Sequence, residues 1–483
     1  MKRSIFIALL SLCAVATIRA QSEMQALRYS QYIPFGTSRY AAQGGAMGAL
    51  GGDLSAILEN PAGLGVFRSS EFSFSPSLYW VNTTANFMGR ASEDSRLKLN
   101  VGNMGFVSAM TTGSEKGIAG AAFSLGYNTL VNFNNRTRIS AVNNNSSLLD
   151  DFVWHANADP DNLNPFYEEL AFDTYLMPYD TAAGEYWHDM QLDGYGQEQF
   201  RLSDQSGFIG EYSLSGAFNY SNLLYLGATF GIHSVRFNEE ITHTETDLDN
   251  HVMDFRSFRF REFNNTRGWG YTFRMGMILR PAQLIRLGAS FQIPTFYYLT
   301  DEKFSDMNSY WDNGSGITDG RATSPNGYFK YELKTPFRAN AHASLVLFKL
   351  ATISAGYEFV DYSSARLDAA EDKFFEENDR IREDFQATHN FKAGAELRFG
   401  SLYLRTGAQY LMSPFTDPRN DADTWIYAGG LGIRSSDVYF DISYTRSART
   451  DVYGLYSFEP GLNEVSLNDV RGNNLMVTVG FKF

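Results

Sequence analysis

From about residue 70 to the end of the chain, apolar and polar side chains alternate with a period of two. Leu475, Val477, Val479, Phe481 and Phe483 share one face of the last segment, opposite Met476, Thr478, Gly480 and Lys482. Ala351, Ile353, Ala355, Tyr357 and Phe359 oppose Thr352, Ser354, Gly356 and Glu358 in the same way. Leu224, Leu226, Ala228, Phe230 and Ile232 oppose Tyr225, Gly227, Thr229, Gly231 and His233. Successive side chains of a strand point to opposite faces, so each run is an amphipathic β-strand. The pattern predicts about fourteen strands, over 70–88, 97–111, 117–138, 206–221, 222–244, 266–280, 283–303, 327–348, 349–366, 385–400, 401–414, 424–435, 436–456 and 472–483. Every second connection is tight, as at Ser221-Asn222, Pro281-Ala282, Phe348-Lys349, Gly400-Ser401 and Ser435-Ser436, and the others are long and polar.

A half-buried soluble sheet would alternate too, so other features choose between the readings. Lys2 and Arg3 precede an apolar run from Ile5 to Val15, and Ala20 is a small residue ahead of Gln21, which reads as a secretory signal over 1–20. Cys13, the single cysteine, lies inside it, so no disulfide is expected. Mean hydropathy is −0.28 and no run of apolar residues after the signal is long enough for a spanning helix. Aromatic residues make up 15% of the chain and glycine contributes 42 residues. Short turns alternating with long loops, an even strand number and a terminal aromatic, Phe483, complete the signature of an all-β, transmembrane antiparallel β-barrel in the outer membrane of a Gram-negative bacterium. The terminal strand then addresses the barrel-assembly machinery, and the outer face meets outer-membrane lipid. The formal charge of −14 becomes −17 once Lys2, Arg3 and Arg19 leave with the signal, which argues against a nucleic-acid partner.

Three segments stand outside the strand pattern. An external insertion at about 139–205 carries Phe152, Trp154, Phe166, Tyr167, Leu170, Tyr175, Tyr186 and Trp187, and is expected to form short helices at the barrel mouth. A second, 367–384, reads as an acidic helix with Phe374, Phe375 and Ile381 on its apolar side. Residues 21–69 precede the first strand and hold Gly44-Gly45-Ala46-Met47-Gly48-Ala49-Leu50-Gly51-Gly52-Asp53, then Glu59-Asn60-Pro61-Ala62-Gly63. They are too short and too glycine-rich to bury a core of their own, and the glycines lack the spacing of a nucleotide-binding loop.

That glycine run followed by Asn60-Pro61-Ala62-Gly63 resembles the N-terminal hatch of the FadL/TodX family of outer-membrane transporters. Gly270-Tyr271-Thr272-Phe273-Arg274-Met275-Gly276, Lys334-Thr335-Pro336-Phe337-Arg338 and Gly356-Tyr357-Glu358-Phe359-Val360-Asp361-Tyr362 agree with it. The resemblance implies a monomeric 14-stranded barrel whose lumen is plugged by 21–69. It implies transport of hydrophobic small molecules such as long-chain fatty acids, by lumenal binding and hatch-gated passage, without enzymatic activity or cofactor. Asn60, Pro61, Ala62 and Gly63 are the hatch residues it points to. A kinked third strand opens a lateral path in that family; Gly126, Asn128 and Asn132 here suit such an interruption. A FadL-like barrel can alternatively serve as a protein-secretion shuttle or interaction component.

Motifs for hydrolytic nucleophiles and for His-Glu-x-x-His metal sites are missing. One loop could bind a divalent cation or a haem iron: His243, Glu245, Asp247, Asp249 and His251 occupy every second position around an expected hairpin tip, with His243 across from His251. A solvated acidic loop explains the same residues, and no metal is expected.

Overall fold

The computed structural model describes residues 23–348, 350–370, 372–457 and 463–483. The expected signal, 1–20, lies outside them. Fourteen antiparallel staves close into a barrel: β1 (Glu71–Phe87), β2 (Arg90–Thr111), β3 (Ile118–Asn132, resuming as Asn135–Asn143), β4 (Gln197–Tyr220), β5 (Leu224–Thr246), β6 (Phe255–Leu279), β7 (Ile285–Gln292, resuming as Phe296–Asp312), β8 (Gly327–Lys334, resuming as Arg338–Leu347), β9 (Ala351–Asp361), β10 (Ala387–Phe399), β11 (Leu402–Leu411), β12 (Thr424–Arg434), β13 (Val438–Ser457) and β14 (Asn463–Lys482). Each pairs with its chain neighbour, and β14 pairs with β1 from Glu71↔Lys482 to Asn86↔Leu467, leaving no free end to the sheet. The Phe483 amide donates to Ser70 O at 3.1 Å, and its ring stacks with Phe106.

Alternation places the side chains as expected. Phe230, Ile353 and Phe481 face outward and are exposed, whereas Thr229, Thr352 and Thr478 are buried toward the lumen. The outward face of β5 runs Leu226, Ala228, Phe230, Ile232 and then changes to Arg236, Asn238 and Glu240. The apolar stretch covers about the 9–11 residues that a tilted strand needs to cross a bilayer. The strand continues well past it, so the hairpins project beyond the apolar belt.

Those projections are where strand boundaries differ from the sequence expectation. β2 starts at Arg90, not 97, after a two-residue Met88-Gly89 turn with positive φ at both residues, the conformation of a tight hairpin. β4 starts at Gln197, β6 at Phe255 and β14 at Asn463, each about ten residues early. Above the belt the outer face meets water, so the apolar half of the alternation disappears while the backbone ladder goes on.

The mouth is covered by helices from the first insertion, α3 (Leu148–Ala158), α4 (Glu168–Asp173) and α5 (Asp189–Asp193). Ser147 caps α3 through a reciprocal pair with Asp150. Phe152, Leu170 and Met177 then pack on the wall residues Phe87, Ile139, Phe258, Phe260 and Met307. The second insertion forms a helix over Phe375–Asp384 only, shorter than the expected 367–384. Phe374 and Ile381 are buried there, but Phe375 is 77% exposed and belongs to no apolar face.

Candidate functional site

The N-terminal residues lie inside the barrel. α1 (Glu23–Ser30), α2 (Ser38–Ala42) and two 3-10 turns, Leu54–Leu58 and Pro61–Val66, are almost entirely buried. Asn60 begins the second turn: its Oδ1 accepts from the Ala62 amide at 3.0 Å while its Nδ2 donates to Met277 O on β6 at 2.9 Å. Pro61 takes the first helical position, where a missing N–H costs nothing. Gly63 O accepts from the Gly52 amide, joining the turn to the glycine run. The wall is made to receive this backbone: a Cβ on Gly276 would stand 2.1 Å from Asn60 Oδ1, and one on Gly407 would stand 2.2 Å from Gly44 N.

Charged contacts fix the segment's position. Glu59 accepts from Lys392 Nζ at 2.7 and 2.8 Å and from Tyr40 OH at 2.6 Å, all buried. Arg39 pairs with Glu396 at 3.0 Å, and Glu396 also receives Arg405, which continues to Asp441. Lys392 and Glu396 share the lumenal face of β10, so both ion pairs tie the segment to one stave. Arg274 of β6 reaches Ile57 O at 3.2 Å and Glu211 at 3.1 Å. His233 stands between that Glu211 (3.0 Å) and the Tyr297 hydroxyl (2.6 Å), which meets Tyr32 OH at 3.0 Å. Above this layer Ala26, Leu27 and Tyr29 of α1 fill an apolar cluster with Phe133, Phe237, Leu299 and Leu333.

On the side opposite β10 the segment meets β3. The Ile33 and Phe35 amides donate to Leu130 O and Thr129 O, both at 3.0 Å. Register against β4 slips between Thr129 and Val131, and the strand breaks at Phe133-Asn134. The ladder between β2 and β3 runs from Thr111↔Gly120 up to Asn103↔Asn128 and stops; the upper half of β3 pairs with β4 alone. Asn128 therefore sits at the last rung, its Oδ1 accepting from Asn103 Nδ2 at 2.8 Å, while Gly126 lies in regular strand below it. Above that rung, β2 from Arg90 to Gly102 has a ladder only with β1.

The acidic loop is not a ligand set. β5 and β6 pair so that His243 faces Phe260, not His251. Asp247 caps the loop by accepting from the His251 and Val252 amides, and His251 is exposed. Glu245 accepts from Ser147 Oγ and the Leu148 amide (2.7 Å each) and meets His243 Nε2 at 2.9 Å. Burial lowers the His243 pKa by more than Glu245 raises it, so the ring is a neutral part of the mouth packing. Among the described residues no group of His, Cys, Asp or Glu is placed to hold a metal.

Neither a family model nor a curated protein matches the sequence. Solved structures do match. The crystal structure of a Pseudomonas aeruginosa FadL homologue aligns with a TM-score of 0.56 at 12% identity, covering 94% of this chain and 99% of that one. The Pseudomonas putida toluene transporter TodX aligns at 0.53 and 10% identity, over 92% and 99%. The CymD monoaromatic hydrocarbon channel aligns at 0.50 and 12%, over 93% and 97%. The chain has the FadL fold. Within that FadL-type barrel, sequence reasoning located Asn60-Pro61 and the third strand but missed Lys392, Glu396 and Arg405. Their signal was present: each falls on the inward alternation of a strand whose other face is apolar, and a charge held there needs a lumenal partner.

Proposed function

We propose that this FadL-like barrel resides in a bacterial outer membrane and passes hydrophobic small molecules, long-chain fatty acids among them, from the mouth into the lumen and out sideways. The observation that carries the reading is the join between the N-terminal segment and the interrupted third stave. Ile33 and Phe35 are bonded to β3 just where its ladder with β2 ends. A shift of the segment therefore acts on a stretch of wall where β2 and β3 share no strand-to-strand ladder. Asn60, Pro61, Ala62 and Gly63 set the resting position, and Gly126 and Asn128 mark the lower limit of the break. A lateral exit lets an apolar chain leave into hydrocarbon without crossing water, which its hydration cost favours. The matched solved structures include a toluene transporter and a monoaromatic hydrocarbon channel, which supports a hydrophobic cargo here.

The test is uptake of labelled oleate by cells that express the full chain and lack other transporters of hydrophobic compounds. Saturable, protein-dependent uptake supports the proposal. Unchanged uptake of every hydrophobic compound tried, in a strain deleted for the protein, would turn the reading toward the secretion shuttle.

A further inference from the structure

Four charges meet in one cluster across the unladdered seam. Arg96 of β2 pairs with Asp204 of β4. Arg136, on the upper half of β3, lies 3.8 Å from Asp204 and 3.7 Å from Asp94 of β2. Strand alternation makes the contact unusual. Asp94 and Arg96 stand opposite Thr83 and Val81 of β1, both buried, so they point inward. Asp204 and Arg136 alternate with buried Ser203 and Thr137, so they point outward. The inner face of the β1–β2 hairpin thus overlaps the outer face of the β3–β4 hairpin, where adjacent staves would ordinarily share a ladder. Other polar ties across the seam are Thr129 Oγ1 donating to Val101 O at 2.7 Å, Thr83 Oγ1 donating to Asn135 Oδ1 at 2.9 Å and, further up, Arg90 with Glu198 at 3.6 Å.

Beside the seam, the outer wall has a depression of about 360 Å³ lined by Leu78, Trp80, Asn82, Ser95, Arg96 and Leu97. Its lining changes character with height. Leu78, Trp80 and Leu97 continue the outward apolar face that starts at Phe72 and Phe74, whereas Asn82 and Ser95 lie above it and are exposed. An apolar floor with the Asn82 amide and the Ser95 hydroxyl at its upper rim, next to Arg96, has the polarity of a single-chain amphiphile standing at a membrane–water interface.

We propose that Asp94, Arg96, Arg136 and Asp204 form a clasp on the lateral exit, opened by an anionic head that takes the place of Asp204 on Arg96. This rests on the transport reading above and adds the chemical class of the cargo. The four side chains are 19–41% exposed, so water and salt reach them and the pairs are individually weak. A carboxylate offers Arg96 the geometry that Asp204 offers, so exchange costs little. A neutral hydrocarbon has nothing to exchange, and the clasp discriminates against it.

Oleate and oleyl alcohol differ only at the head and are the probes. The double variant Arg96→Cys/Asp204→Cys introduces the only cysteines of the mature chain, because Cys13 lies in the expected signal. Oxidised, it should take up oleate at least about tenfold more slowly than after reduction, since a closed ring forbids the overlap to slide. Asp204→Asn should speed oleate uptake and flatten its dependence on ionic strength. Arg96→Gln should lower the ratio of oleate to oleyl alcohol uptake severalfold, and Arg96→Lys should recover part of it. Each oxidised sample serves as its own folding control through reduction. Uptake of oleate by the oxidised double variant as fast as after its reduction overturns the clasp and leaves transport standing. An oleate-to-alcohol ratio untouched by Arg96→Gln overturns the anionic-head assignment. Absence of uptake of either probe by the wild-type protein overturns the transport reading and the clasp together.

Discussion

The lumen is filled at both ends by different physics. At the bottom, directed polar contacts fix the position of the N-terminal segment beside its apolar packing: Glu59 on Lys392, Arg39 on Glu396, Asn60 on Met277 O, and glycines that let backbone touch wall. At the top, the insertion is held by an apolar cluster around Phe152, with Glu245 and Asp150 fastening the start of α3. Apolar burial is additive and tolerant of small shifts, because it scales with area. Buried ion pairs and backbone-on-backbone contacts are not tolerant: they hold one register, and losing one partner leaves an unpaired charge away from water. A part that must be shut or released suits the second kind of bonding. A part that must only cover suits the first.

The strongest way to break this comparison is removal of one filler at a time. A chain lacking residues 23–69 behind an intact signal should still fold, since all fourteen staves remain, and should conduct ions in planar bilayers far better than the full protein. Deleting 148–193 should change conductance little. Equal conductance from both deletions would show that the two ends do not differ in role.

A smaller effect is expected from single contacts. Lys392→Met strands Glu59 among buried groups and should weaken the seating of the segment by about 3 kcal/mol, read as flickering openings in single-channel records. Adding Glu59→Gln should remove most of those openings, because no charge is then left unpaired. Phe152→Ala should cost the mouth about 3 kcal/mol as well, through lost burial and a cavity, yet appear as faster proteolysis within 144–196 without added conductance.

Acid should loosen the mouth in two steps. At Asp150, burial alone would raise the carboxyl, but hydrogen bonds from His188, the Ser147 amide and Tyr195 hold it below its usual value. A lowered folded pKa means stability that is present above the unfolded value and lost as pH falls. His243, lowered by burial, should therefore begin to loosen the mouth below about pH 6.5, and Asp150 should add to this below about pH 4. Proteolysis of 144–196 across that range is the measurement, and a flat profile would remove both groups from the account.

The smallest effect concerns Asn60→Ala. It removes one cap and one bond to Met277 O, about 1 kcal/mol, and should raise the opening frequency slightly with assembly intact.

Much of this architecture was readable from the chain. Alternation assigned lipid-side and lumen-side residues on β5, β9 and β14, because a strand has only two faces and the barrel gives them opposite surroundings. The glycine run and Asn60-Pro61 marked a segment unable to fold alone. Strand tips were misjudged at Arg90, Gln197, Phe255 and Asn463 because water on the outer face removes the contrast that alternation depends on. The His243–His251 pairing failed for a related reason: the loop tip lies several residues from where a symmetric hairpin would put it.

What the sequence determined by itself was therefore local and periodic: which face each residue takes, where tight turns fall, and which segment needs a container. What only the tertiary structure decided was pairing across the barrel. Lys392 meets Glu59 across 333 positions of chain, Arg96 meets Asp204, and Ile33 meets β3 where its ladder ends. Charge and polarity say that such groups need partners, but closure of the ring chooses them, because it alone sets which inward-facing positions share a height in the lumen.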